Sequence, residues 1–470
     1  MSESNTTANP DCPRCVPLLR RIEELEAIVR ELQARLNQNS SNSSIPPSAN
    51  PLGATKLKGK SRDARKPKRK RGGQPGHKGH FRLRLPPDRV DIIIPYIPQN
   101  CSNCQATLPQ EPSPSDPLPT RHQVVELPER PVVVTEHQGH ARSCVRCGKV
   151  TRSAVPDQVR SHTFGPKLTA FLSYLCARHH VSRRGVREIV ETVLNVPISL
   201  GTIGSLEQET SAALATAHEE AGEAARAATS KNVDETGWKK AGKRCWLWAA
   251  ATSMVAYFVI HARRNWQGLQ ALLGETAQGF VTSDRWGTYG KIPLELRQIC
   301  WAHLKRDFQK LVDRGDASKS IGDAGLDVVR RTFELWHAFR GGTLDRVSLQ
   351  RKLDPIAGEL HEALERGCAC DDGKAATFCG NVLALESALW SFAKVEGIEP
   401  TNNHAERILR GGVLWRKNAF GSHSEAGCRF AERMLTVIET LRLGERNVLD
   451  YLHLAVTAHR EGLPAPKLLS

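Results

Sequence analysis

The chain has 470 residues, a formal net charge of +16 and a pI near 9.4. That length holds two to four domains with a substantial core, and the charge favours a polyanionic partner. Thirteen cysteines behind no leader-like opening segment argue against a disulfide scaffold and for reduced thiols or bound metal.

Residues 17–37 predict an amphipathic helix. Leu18, Ile22, Leu25, Val29, Leu32 and Leu36 follow a four-three spacing, and Glu26 with Arg30 and Glu31 with Arg35 are placed for i,i+4 pairs. Leucines at one seam position with Ile22 and Val29 at the other favour a parallel two-stranded coil, hence a homodimer. The alternative is a helix docked on its own protein. Cys12 and Cys15, at the mouth of the coil, either bind metal across a dimer or have no role. Residues 1–37 form this segment, and 38–90 are read as a linker, Asn/Ser-rich and then basic. Between Lys56 and Arg89 there are fourteen Lys or Arg against two Asp, a net +12 that leaves about +4 for all other residues. This segment, with Lys66, Lys68, Arg69, Lys70 and Arg71 at its densest point, is expected to lack fixed structure and to grip phosphates without sequence preference. The bland alternative is a solubilising tail.

Residues 91–160 are read as a zinc-binding domain. Cys101-x-x-Cys104 and Cys144-x-x-Cys147 have the spacing of two knuckles of a tetrahedral structural Zn2+ site, with strand-like segments at 122–127 and 131–137 filling the gap. Four thiolates leave no open position for catalysis; the alternative is two unrelated reduced pairs. Residues 161–229 are read as a helical domain. Ser182 can cap a helix over 183–194, Asn195-Val196-Pro197-Ile198 makes a turn, and Ser199 can cap the next helix. That order is helix-turn-helix-like, with the second helix in the major groove and Arg178, Arg183, Arg184 and Arg187 on phosphates. A purely structural bundle is the competing reading.

From 230 the pattern changes. A strand at 231–236 carries Asp234, and the run 245–261 is almost wholly apolar. It falls short of a membrane span, and Thr252-Ser253 supplies a turn, so it is read as two buried antiparallel strands. A helix at 265–274, a strand ending in Asp284 and a strand at 295–302 follow, with a helix starting near His303. Segments 303–341, 346–366 and 374–395 read as helical, an insertion at about 310–398. Glu406 then opens a late helix, with Asn402 and Asn403 one turn before it, whose amides are placed to orient the carboxylate or DNA, and Arg407 and Arg410 beyond as phosphate contacts. Hard divalent cations prefer oxygen ligands, so three such acids suit a pair of Mg2+ (or Mn2+) ions placed against a phosphodiester. This order of strands and acids is ribonuclease H-like. The fold class expected is α+β multidomain, with a ribonuclease H-like catalytic core over 230–425 carrying an α-helical insertion and followed by C-terminal helices at 426–470. A coiled coil, a zinc module and a helix-turn-helix-like domain precede it.

Residues 400–452, opening Pro-Thr-Asn-Asn-His-Ala-Glu-Arg, resemble the C-terminal part of the insertion sequence sixty-six family of bacterial transposases. NSSNSSIPPS at 39–48, GGQPGHKGH at 72–80, the two Cys-x-x-Cys pairs, VDETGW at 233–238 and SDRWGTYG at 283–290 agree in the family's order. Thr401 departs from the pattern, where an Asp is expected. The resemblance implies a DDE transposase with Asp234, Asp284 and Glu406 as its triad, holding two Mg2+. It also implies binding to terminal inverted repeats and to target DNA, helper proteins encoded by the same element, and a cytoplasmic, nucleoid-associated place without a membrane. Cys300-x-x-His303 matches a motif of DDE families with inserted helical domains, so His303 either assists at the scissile phosphate or is structural. An inactive DNA-binding derivative and a ribonuclease H-like repair nuclease are the alternatives in other classes.

Overall fold

The computed structural model describes residues 15–36 and 84–469, apart from 112 and 115. The expectations for Cys12, for the basic segment with Lys66, Lys68, Arg69, Lys70 and Arg71, and for most of the linker lie outside the described residues. The chain divides into two compact units, Lys56–Thr135 and the rest.

In Lys56–Thr135 the described backbone is largely irregular. Asn100 bridges Thr107 around the first cysteine pair, and the Gln123 side chain both accepts from Leu85 N and donates to Leu85 O. The strands expected at 122–127 and 131–137 are not there. Pro128 and Pro131 remove two backbone donors, and Val124, Val125, Leu127, Val133 and Val134 stand exposed without a partner strand.

The other unit begins with α1 (Cys15–Leu36), whose Leu18, Ile22, Leu25, Val29 and Leu32 are all exposed. A small hairpin, β1 (Ala141–Ser143) and β2 (Val150–Arg152), holds the second cysteine pair, and α2 (Asp157–Arg160) follows. Next come α3 (Pro166–Arg178), α4 (Arg183–Thr192) and α5 (Leu200–Ala213). Ser182 and Ser199 cap α4 and α5 as their positions predict, accepting from Gly185 N and Thr202 N. Leu172, Val186, Val190 and Ile203 form the small core of these three helices.

After α6 (Ala215–Ala227) the chain enters a mixed sheet. Its strands are β3 (Ser230–Lys240), β4 (Lys243–Ala251), β5 (Ala256–His261), β6 (Phe280–Ser283) and β7 (Arg297–Ile299), in the order β5-β4-β3-β6-β7. The first three pair antiparallel; β6 and β7 are parallel to β3. The apolar run 245–261 is thus two strands and a turn, in which Thr252 Oγ1 accepts from Met254 N and Val255 N. Among the described residues no helix is long and apolar enough to cross a membrane. The strand expected at 295–302 shrinks to three residues, because Pro293 opens a tight turn before it and Trp301 already begins a helix.

α7 (Trp266–Leu273) links β5 to β6. Beyond β7 lie α8 (Trp301–Arg314), α9 (Asp316–Arg340), α10 (Arg346–Cys368), α11 (Gly373–Leu383) and α12 (Ser391–Lys394), the expected helical insertion with a core of its own. Gly315, at φ +79°, breaks what the apolar pattern runs together as one helix from 303 to 341. α13 (Asn403–Ala419), α14 (Glu425–Leu443) and α15 (Val448–Glu461) close the chain. A Cβ on Gly412 of α13 would meet Leu247, and one on Gly268 of α7 would meet Trp248. Adjacent residues of a strand point to opposite faces, so the sheet is sandwiched between α13 on one face and α7 on the other.

Helices close both sheet edges through side chains. On β5, the backbone N–H groups of Ala256, Phe258 and Ile260 donate to Thr440, Thr436 and Glu432, spaced four apart on α14. On β7, Gln298 accepts from Phe392 N and donates to Leu389 O, while Ser391 donates to Arg297 O. Edge groups that would otherwise template another strand are thereby satisfied.

Glu432 is fully buried, and burial pushes its carboxyl up to about 7 against the pull of Ile260 N and Arg429. Arg429 Nη1 lies 2.8 Å from Oε2 but out of line for a hydrogen bond. Between its ordinary value of 4.5 and about 7 the folded chain keeps a proton that the unfolded chain releases, so stability falls as pH rises through that window. Glu432→Gln keeps the acceptor for Ile260 N and removes the titration. Urea unfolding at pH 5 and pH 7.5 should therefore show the wild type losing about 1–3 kcal/mol more than the variant on raising the pH; parallel losses would contradict this.

Candidate active site

The register of β3 against β6 pairs Asn232 with Thr282. Two residues further along each chain come Asp234, still within β3, and Asp284, just past the end of β6. Asp284 is the first residue past β6, where its Oδ1 accepts from Trp286 N at 2.9 Å; Asp234 Oδ1 accepts from Glu235 N at the same distance. Burial raises the Asp234 carboxyl well above the usual range, and the charges of Glu235, Glu406 and Asp284 push it further. The three acids thus share one electrostatic neighbourhood although 172 positions separate the first from the last.

Glu406 reaches this neighbourhood because the segment before α13 is fastened on two sides. Asn402, fully buried, donates from Nδ2 to Val233 O at 2.8 Å, and Asn232 returns a bond from its amide to Thr401 O at 3.1 Å. On the other side, Asn402 N points at Cys300 Sγ (3.1 Å) and Trp301 N donates to Pro400 O. Burial lifts the Cys300 thiol to about 11, so it stays protonated and serves as an acceptor, not a nucleophile. Asn402 was expected to touch DNA or Glu406; it is instead an internal fastener, with only Oδ1 left unpartnered.

Glu406 sits one turn into α13, half-buried, with Oε1 3.7 Å from His303 Nε2 and 3.9 Å from Arg306 Nη2. Burial, then Arg306, lowers the His303 imidazole, opposed by Glu406 and Asp284. Its Nδ1 is buried without a partner. Among the described residues no three His, Cys, Asp or Glu side chains converge closely enough to hold a metal ion. The acids share a neighbourhood, not a closed ligand set, and Glu406 is turned toward its cationic neighbours.

Glu235 is a participant that sequence reading missed. Its side chain accepts from Arg264 Nε at 2.7 Å and from the fully buried Tyr289 hydroxyl. Burial raises its carboxyl, and Tyr289 and Arg264 pull it back. Position beside Asp234 was its only signal in the sequence; Arg264 and Tyr289 lie 29 and 54 positions away.

The candidate DNA contacts fall into two groups. Asn403, Arg407 and Arg410 are exposed along one stripe of α13. In the helical domain Arg183 is bonded to Glu207, Arg187 lies 3.7 Å from Glu191 and Arg178 3.6 Å from Glu439, so these three are engaged within the protein; Arg184 is exposed. The two cysteine pairs form matching turns. Gln105 N donates to Cys101 O and Gly148 N to Cys144 O, with Gln105 and Gly148 both at positive φ. Backbone N–H groups of Asn103 and Cys104, and of Arg146 and Cys147, lower the Cys101 and Cys144 thiols, favouring the thiolates that zinc takes.

Two aspartates at a parallel strand pair, with a helix-borne glutamate beside them, define a carboxylate-centred site in a mixed α+β protein. Residues 161–430, which hold all three acids, match the model of the transposase IS66 family, and the chain belongs to that family. Residues 8–83 match a family of unknown function, DUF6444. An uncharacterized protein of Sinorhizobium fredii, y4qI, is 28% identical over 251 residues, 48% of this chain and 46% of its own length. A second from the same organism, y4hP, is 31% identical over 161 residues, 31% of this chain and 29% of its own. The chain spans less than half the length of either relative.

Replacing Asn402 by Ala leaves Val233 O buried without its donor. The expected loss is about 1–3 kcal/mol in urea unfolding, whereas Asn403→Ala, on the exposed stripe, should stay within about 0.5 kcal/mol. Equal losses would show that the fastening is not made through Asn402.

Proposed function

We propose that this protein is a DDE transposase that nicks the ends of an insertion sequence and joins them to target DNA, using a ribonuclease H-like core. The observation that supports the reading is the parallel β3–β6 pair running into Asp234 and Asp284, with the segment before Glu406 fastened to β3 through Asn402 and the charges of Glu406 and Asp284 felt at Asp234. Three half-buried carboxylates, with the charges of Glu406 and Asp284 acting on Asp234, form a donor set that suits hard divalent cations and would be relieved by them. Asp234, Asp284 and Glu406 would hold two Mg2+ or Mn2+. Bound there, such ions supply an activated water or 3′-hydroxyl for attack and charge stabilisation for the leaving oxygen.

The chain's own groups set the rest. Glu406, now turned toward His303 and Arg306, would have to release them to join such a ligand set. His303, its imidazole lowered, is neutral near pH 7 and offers Nε2 to a proton at the scissile phosphate, and Arg306 faces the phosphate charge. Asn403, Arg407 and Arg410 hold the DNA backbone, joined by the basic segment around Lys66, Lys68, Arg69, Lys70 and Arg71, whose grip weakens as salt rises. The helix-turn-helix-like set α3–α5 reads terminal inverted repeats, with Arg184 and, once released from their carboxylates, Arg183 and Arg187 on the flanking phosphates. The exposed seam of α1 pairs with a second copy, so that two ends are cut in one assembly. Helper proteins from the same element complete the machinery.

Mg2+-dependent nicking of a duplex carrying the element's terminal repeats tests this. Asp234→Ala, Asp284→Ala and Glu406→Ala should each lower the rate by orders of magnitude while leaving repeat binding intact. Undiminished nicking in any of the three removes that acid from the mechanism. Repeat binding without nicking by the unaltered protein would favour a DNA-binding derivative.

Structural zinc on the cysteine knuckles is part of the same proposal. The purified chain should contain zinc, and Cys101→Ser and Cys144→Ser should each deplete it; zinc content unchanged in both would contradict that role.

A further inference from the structure

The face of β4 away from α13 carries Arg244, Trp246 and Trp248, opposite Lys239, Gly237 and Glu235 of β3. Two loops close onto it, one with Arg264 and one with Trp286. The Arg244 guanidinium lies 4.6 Å from the centre of the Trp246 ring, and that of Arg264 lies 5.1 Å from Trp246 and 4.1 Å from Trp286. The result is a ladder in the order Arg244, Trp246, Arg264, Trp286. Arg244 is exposed; the other three rungs are half-buried. Glu235 fixes the edge of Arg264 and neutralises it, so Arg244, Lys239 and Arg263, all exposed, leave the surface positive.

From this geometry we infer that the ladder is a binding platform for unpaired nucleobases of a DNA strand at the acidic site. The inference rests on the strand-breaking reading above and adds what happens to the nucleotides beside the broken bond. A duplex offers a protein its phosphates and groove edges, while its base faces are hidden by stacking. Indoles at a half-exposed surface, interleaved with cations, suit the opposite case: bases with free π-faces on a charged backbone. Arg244 holds the outer face of Trp246 in the free protein. An incoming base takes that face, and the exposed guanidinium turns to the phosphate. Platform and acids are built from the same two backbone segments, since Glu235 follows Asp234 and Trp286 N donates to Asp284 Oδ1. The Trp286 end of the ladder thus lies beside Asp284, while Trp246, on the face opposite Asp234, lies farther out, so a strand on the ladder reaches the acids past the end of β6.

The test is an anisotropy titration of labelled oligothymidylate and of a labelled duplex with the full-length chain, in chelator without divalent cations. Trp246→Leu should weaken oligothymidylate binding on the order of tenfold and change duplex binding by less than about twofold, while Trp246→Phe, which keeps a stacking ring, should retain most of the affinity. Equal single-strand affinity in Trp246→Leu and wild type overturns the inference. So does a parallel loss for both DNAs, or a Trp246→Phe variant as weak as Trp246→Leu despite an unchanged melting temperature. Because no metal is present, the titration reads the platform independently of the acids, whose failure would appear only in the nicking assay.

Discussion

Between Asp284 and Glu406 the chain leaves the sheet, builds a helical layer with its own core and returns. The return is useful only if it ends within reach of the two aspartates, and Asn402 is where that is decided. Its side-chain amide holds Val233 O, one residue before Asp234, and its backbone N–H is turned to Cys300, just past β7. A buried amide makes a good fastener because losing the bond strands a carbonyl away from water, so sliding of α13 along β3 is opposed at each alternative position. Asn232 and Trp301 repeat the attachment on either side. Three properties of the acidic site follow from this return: the repulsion that Glu406 adds at Asp234, the approach of Glu406 to His303, and the exposure of the Asn403, Arg407 and Arg410 stripe.

The same economy recurs at the sheet margins. A five-stranded sheet with two open edges invites a further strand, and here side chains of α14 on one edge, with Gln298 and Ser391 on the other, take its place. Charge is handled differently on the two faces. On the α13 face the Asp234 carboxyl is left in the field of Glu406 and Asp284 without a cation of its own among the described residues. On the α7 face Glu235 is matched by Arg264 and Tyr289, and the surplus cations are laid against indoles.

Local signals in the sequence were dependable where local physics decides. The caps Ser182 and Ser199, the two-strand reading of 245–261, the strand ending in Asp284 and the helix bearing Glu406 depend on neighbours within a few residues. Where a distant partner decides, the sequence was silent or misleading. Val124 and Val133 have strand-like neighbours but lie in backbone without a partner, and the 295–302 strand is cut short by helix formation at Trp301. Arg183 looked like a phosphate contact until Glu207, 24 positions away, proved to hold it. Asn402 was recognised as special for a reason that burial overturns, and no periodicity could have joined Glu235 to Tyr289.

The central claim is that Asp234, Asp284 and Glu406 grip the same ions. Iron-directed cleavage addresses it without any DNA: Fe2+ bound in place of Mg2+, with ascorbate and peroxide, cuts backbone beside its ligands. Mass spectrometry of the fragments should show cuts near positions 234, 284 and 406 together, all suppressed by excess Mg2+. Cuts confined to one of the three, or insensitive to Mg2+, would contradict the account.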